Sequence, residues 1–144
     1  MMDVEKDMML SMILLKHQFD YIYADRVRPC GVTFVQAIYM KTINDSEGVI
    51  TMSKLAMLFG VTRARVTTVL KGVRDAGHLV EEPIDGRTIA LSLSPSGKEV
   101  VKHFDRIVQD DQGKIIGQLT NEEFEVFKKV ISKASEYLKT NYLD

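Results

Sequence analysis

Arg63, Thr67, Lys71 and Arg74 follow one another at intervals of four, four and three residues, the spacing that lines side chains along one stripe of an α-helix. Two guanidinium groups, an ammonium and a hydroxyl form a row of donors with no carboxylate among them. Such a row suits phosphate oxygens and the acceptor edges of bases. Arg65 and Thr68 flank it. The plainer reading is a solvated helix face, and the neighbouring elements decide between the two. Other chemistry is sparse. Cys30 is the single cysteine, and His17, His78 and His103 have neither a partner four residues away nor a cysteine cluster, so no metal site is expected. There is no glycine-rich phosphate loop, no nucleophile elbow and no His with an evident carboxylate partner, so neither catalysis nor a cofactor is expected.

The basic stripe must be carried by a helix from Arg63 to Ala76, capped by the Thr62 hydroxyl and stopped at Gly77. Val66, Val69, Leu70 and Val73 recur on its other side and commit that side to a core. Thr51 caps the preceding helix, with Leu55, Ala56 and Phe59 inward and Gly60 at its end. Gly60, Val61 and Thr62 alone separate the two helices, as in a helix-turn-helix whose second member enters the major groove. An ordinary helical hairpin would look the same. The residues after Gly77 favour the helix-turn-helix. Leu79 to Glu82 reads as a strand, Pro83 to Gly86 as a turn with Asp85 and Gly86 shaping it, and Thr88 to Leu93 as a second strand, which makes a two-stranded wing with Arg87 at its tip.

Helices flank this middle. From about Val4 to Asp25 a seam of Met8, Met12, Leu15, Phe19 and Ile22 alternates by four and three, with Met9, Ile13 and Leu14 widening the apolar face. Arg28 to Gly31 breaks that helix, and Thr33 with Gln36 opens the next through a capping box. Ser94 with Pro95 starts a helix carrying Val100, Val101, Phe104, Ile107 and Val108, loosened near Gly113 and Gly117. A second capping box, Thr120 with Glu123, opens a last helix whose seam is Phe124, Phe127, Ile131, Ala134 and Leu138. The expected fold is therefore mainly α with a small β wing.

The 144 residues fit one domain, with 45% hydrophobic and 27% charged residues and a net charge of −1. That charge is unevenly spread. Between Thr51 and Lys102 eight basic residues face five acidic ones, giving +3, whereas the remainder carries 11 against 15, giving −4. The positive middle is the local footprint that phosphate requires. A lone cysteine excludes an internal disulfide framework and fits the reducing cytoplasm. The apolar run from Met8 to Leu15 follows Asp3, Glu5 and Asp7, the wrong flank for a signal peptide, and is too short to span a bilayer, so no membrane partner is expected.

Nearly the whole chain resembles the MarR (multiple antibiotic resistance regulator) family of transcription factors. Asp85, Arg87, Leu93, Ser94 and Gly97 match the family's wing-to-helix pattern of Asp-x-Arg followed by Leu-[Thr/Ser]-x-x-Gly. Val61, Thr62, Val66, Thr67, Gly77, Leu79 and Val80 match its recognition-helix pattern, and Val32, Thr33 and Gln36 echo the opening of its second helix. The resemblance implies a homodimer on a pseudo-palindromic double-stranded DNA operator, with a winged helix-turn-helix lobe over 33–97 and dimerisation helices over 1–28 and 98–144. Such a dimer acts most simply as a repressor, released by a small ligand or another signal. Within it Arg63, Thr67 and Thr68 fall to base edges, and Arg65, Lys71 and Arg74 to phosphates. Thr62 combines cap and phosphate contact. The resemblance also implies a cleft for a small aromatic or amphipathic effector, for which Tyr21, Tyr23, Tyr39 and Met40 are the candidates, although aromatics and Met at helical spacing are more often core, or else oxidant sensing at Cys30, although a lone cysteine is more often a buried small hydrophobe. Two departures stand out: a wing about two residues shorter than is common, and Glu82 where many relatives carry arginine. Arg87 is accordingly either a minor-groove contact or a partner of Asp85 that shapes the wing. A winged helix serving protein contacts is the remaining rival, and the basic stripe argues against it.

Overall fold

The computed structural model describes residues 7–143. Its elements are α1 (Met8–Arg26), a short 3-10 turn (Arg28–Cys30), α2 (Phe34–Asp45), α3 (Met52–Phe59), α4 (Arg63–Asp75), β1 (Leu79–Pro83), β2 (Ile89–Leu93), α5 (Pro95–Ile116) and α6 (Asn121–Tyr142). This is the expected helical fold with a small wing. Val4 to Lys6, the start of the first expected helix, lie outside the described residues. Every anticipated side-chain cap is formed. Thr33 and Gln36 bond reciprocally, as do Thr120 and Glu123, while Thr51, Thr62 and Ser94 each accept from the backbone N–H three residues on.

β1 and β2 pair antiparallel, Leu79 opposite Leu93 through to Pro83 opposite Ile89. Pro83 thus ends the strand rather than opening the turn, where the ladder needs no further N–H from it. The hairpin is not isolated. Leu91 N–H donates to the Ile50 carbonyl at 2.9 Å, which attaches the segment before α3 to the wing's inner edge. α5 runs through Gly113 without a break and ends at Gly117, so the expected loosening at Gly113 is absent.

The buried residues fall between Tyr23 and Phe104. Met40, Leu55, Val66, Leu70, Val73 and Val101 are fully enclosed, and α2 packs on both α4 and α5. A file of rings, Phe19, Tyr23, Phe34 and Phe104, carries this core outward along α1, with successive centroids 5.9, 5.2 and 6.3 Å apart. Arg26 to Asp111 at 2.9 Å and Lys41 to Asp105 at 2.8 Å tie α1 and α2 to α5. Burial, helped by a hydrogen bond to Asp111, pushes the Tyr23 hydroxyl up to about 12. Beyond this core the packing stops. Nothing on α6 is buried, and Val126, Phe127, Val130, Ile131 and Leu138 are exposed, as are Met9, Met12, Ile13 and Leu15 of α1.

One close approach holds the lobe's elements in register. Ser94 N–H donates to the His78 carbonyl at 2.9 Å, and the Ser94 hydroxyl donates to the Gly77 carbonyl at 2.7 Å. Gly77 itself has φ 80°, the left-handed turn out of α4. Gly97 lies so near that an added Cβ would sit 2.5 Å from the His78 carbonyl oxygen. Gly97→Ala should therefore force backbone apart and destabilise the fold by roughly 1–3 kcal/mol. Urea unfolding at fixed protein concentration checks this, and a loss under about 0.5 kcal/mol would show that the approach yields easily.

Candidate nucleic-acid interface

Three residues, Gly60 to Thr62, turn α3 into α4. Gly60 takes φ 63°, and the Thr62 hydroxyl accepts from Arg65 N–H at 3.1 Å, fixing the first turn of α4. Val66, Val69, Leu70 and Val73 are buried, so the opposite face is turned to solvent. Thr67, Thr68 and Lys71 lie across it, with Arg63 at one flank and Arg65 at the other, all exposed. Arg63 and Arg65 have no acidic partner among the described residues.

The two threonines have less freedom than their positions suggest. Thr67 donates its hydroxyl proton to the Arg63 carbonyl at 3.0 Å and Thr68 donates to the Ala64 carbonyl at 3.1 Å. With those protons engaged in the helix, each can offer a partner only a methyl group and a lone pair. Lys71 reaches Asp75 at 2.8 Å with both side chains well exposed. Arg74 is committed elsewhere. Its Nε and Nη2 both donate to the Glu81 carboxylate on β1, which also holds the guanidinium proton more tightly than usual. No periodicity signals this pair, because its members lie on different elements.

At the wing tip Ile84 N–H donates to the Thr88 carbonyl at 2.9 Å, closing the turn. Asp85 Oδ1 accepts from the backbone N–H groups of Arg87, at 2.9 Å, and Thr88, at 2.8 Å. Asp85 thus shapes the wing through the Arg87 backbone, and the Arg87 side chain is left without an acidic partner among the described residues. At Gly86 neither a positive φ nor a close neighbour requires glycine.

The proposed effector lining does not come together within the chain. Tyr39 is 4% exposed, stacked on Phe59 with centroids 4.3 Å apart, and Met40 is fully buried. Tyr23 is buried too, whereas Tyr21 is 83% exposed. Two residues apart on a helix, they point to nearly opposite sides. Cys30 ends the 3-10 turn and, with Glu99, Val100, His103 and Arg106, borders an open cavity of about 350 Å³. Burial pushes its thiol up, away from a reactive thiolate. His78 Nδ1 lies 2.9 Å from the Ser96 hydroxyl. Among the described residues no group of three or more His, Cys, Asp or Glu could hold a metal ion, and no helix is long and apolar enough to cross a membrane.

Among solved structures, the chain is similar to a MarR-family regulator of Listeria monocytogenes complexed with a 26mer DNA, at TM-score 0.84 and 16% identity over 99% of this chain and 93% of that one. It is similar to S. aureus MepR in a DNA complex, at TM-score 0.79 and 18% identity over 90% and 96%. A MarR/EmrR-family regulator from Acinetobacter sp. ADP1 gives TM-score 0.84 at 12% identity over 96% and 99%. No family model and no curated protein matches the sequence.

Backbone donors hold the Asp85 carboxyl below the usual carboxylate range, the Arg87 N–H first and the Thr88 N–H second. A folded value below the unfolded one means that the bonds are fully present above the ordinary aspartate value of about 3.9 and are lost as pH falls through the folded value. On acid titration the Arg87 and Thr88 amide resonances should therefore stay fixed until the pH is below about 4 and then move together. Asp85→Ala should abolish that step. Amides that move well above this range would show that the turn is not held by Asp85.

Proposed function

From a chain with the MarR-family winged-helix fold, we propose a sequence-specific DNA-binding transcriptional regulator that works as a homodimer and represses by occluding a promoter. The exposed basic face of α4, mounted behind a three-residue turn and beside a wing, carries this reading. Arg63 and Arg65 supply cations with no acidic partner among the described residues, near the end of α4 that a recognition helix directs at base edges. Arg63 is assigned to a guanine edge, and Thr67 and Thr68, through their methyl groups, to thymine. Arg65 and Lys71 are assigned to phosphates, Lys71 by exchanging Asp75 for a phosphate oxygen. The Arg87 guanidinium is assigned to the flanking minor groove.

The apolar faces of α1 and α6 support the dimer. Val126, Phe127, Val130 and Ile131 stand exposed in one stretch of α6, and a soluble monomer seldom leaves that much apolar surface uncovered. Pairing would bury it and set the two α4 helices about 10 bp apart on a roughly palindromic site.

Binding selection from random duplexes tests the whole reading, with a palindrome of two half-sites as the expected product. Arg63→Ala should then cost roughly 1–3 kcal/mol on the recovered site and relax its sequence preference, whereas Lys71→Ala should weaken all duplexes alike and flatten the salt slope by about 0.9 per protomer, about 1.8 for the dimer. Equal losses on selected and random duplexes for both variants would overturn the residue assignments. Sedimentation equilibrium that finds a monomer at binding concentrations would overturn the dimer.

A further inference from the structure

The cations of α4 are not equally available. Lys71 is matched within its own helix by a solvated partner one turn away, and such a pair contributes little and exchanges readily. Arg74 is matched across elements. Glu81 stands on β1, its side chain only 26% exposed, and takes two hydrogen bonds from the guanidinium, that from Nη2 measuring 3.2 Å. A planar fork on a carboxylate fixes direction as well as charge. The bond therefore locks the last turn of α4 to the first strand of the wing. Glu82, the next residue, has no cation paired with it among the described residues and lies on the other side of the strand.

Building on the DNA-binding reading, we propose that Glu81 is an internal counter-charge that withdraws Arg74 from the phosphate footprint and so limits how strongly the chain holds DNA of any sequence. A phosphate approaching Arg74 would have to displace an oxyanion already bound at two points. The exchange swaps one anion for another, leaves Glu81 facing a polyanion and releases no additional counterion. Arg74 thus adds nothing to the sequence-independent part of binding, and the contacts to base edges account for a larger share of the whole.

The test is the salt dependence of binding by the full chain, on the selected duplex and on a shuffled one. Freeing one arginine per protomer adds about 0.9 to the slope of log affinity against log salt, about 1.8 per dimer, so a fourfold dilution of salt should tighten Glu81→Gln roughly tenfold more than wild type. The gain should appear on both duplexes and shrink the ratio between them. Glu82→Gln removes the same charge without freeing an arginine and should leave the slope at the wild-type value, as should Arg74→Ala. The double variant Glu81→Gln/Arg74→Ala should lose the gain. Thermal melts establish that each variant is folded, with Arg74→Gln replacing the alanine variant if the latter is not. A flatter slope for Arg74→Ala alone would place Arg74 on phosphate already and overturn the proposal, as would equal slopes for the two glutamine variants. A wild-type chain that binds no duplex would overturn the DNA-binding reading and this proposal together, whereas slope results on a chain that binds judge Glu81 alone.

Discussion

The lobe depends on a knot of backbone where four elements meet. α4 ends at Asp75 and the chain turns out of it through Gly77, β1 begins after His78, β2 ends at Leu93 and α5 begins behind Ser94. The Gly77 carbonyl accepts from the Ser94 and Ser96 hydroxyls, while the His78 carbonyl accepts from Ser94 N–H. The orphan carbonyls at the end of α4 are met from the same turn, Gly72, Val73 and Arg74 accepting from the N–H groups of Ala76, His78 and Gly77. Ser94 also accepts from Gly97 N–H to cap α5, so one side chain ties the turn after α4 to the start of α5. The absent side chain of Gly97 lets the backbones approach this closely. The direction in which α4 presents its basic face, and the direction in which α5 leaves, are therefore set at a single joint.

Around that joint the molecule divides by solvent exposure. The interior, from Tyr23 to Phe104, is filled by aliphatic side chains and a file of stacked rings, and cross-helix ion pairs at Lys41 and Arg26 fasten its rim. The terminal helices each leave a set of apolar side chains uncovered. Surface of that kind gains free energy only when something else removes it from water. The lobe has a core of its own, to which α1 adds Tyr23 and α6 adds no buried residue. In the proposed dimer that asymmetry would place the pairing surface outside the lobe's own core.

Local chemistry was legible in the sequence and long-range pairing was not. Thr33, Thr51, Thr62, Ser94 and Thr120 each act on an N–H three residues away, so their roles are visible within one turn of chain. The core face of α4 follows from period alone. The Arg74–Glu81 bond, the attachment of Leu91 to Ile50 and the stacking of Tyr39 on Phe59 join residues whose proximity only the fold creates. For the same reason Tyr39 and Met40, polarisable and apolar enough to line a cleft, are interior filling. Asp85 lies between these cases. Its Asp-x-Arg pattern pointed to a partnership with Arg87, and the partner proved to be the Arg87 amide rather than its guanidinium.

The wing is fastened at its base, by Leu91 to Ile50 on one strand and by Arg74 to Glu81 on the other, while among the described residues the hydrogen bonds of its tip from Ile84 to Thr88 are those of its own turn. Apart from Asp85, side chains there can be exchanged without touching the ladder beneath them. The outermost loop is thus the cheapest part of the molecule for descent with modification to rework, and lineages sharing this scaffold can diverge in reach while inheriting the same inner frame.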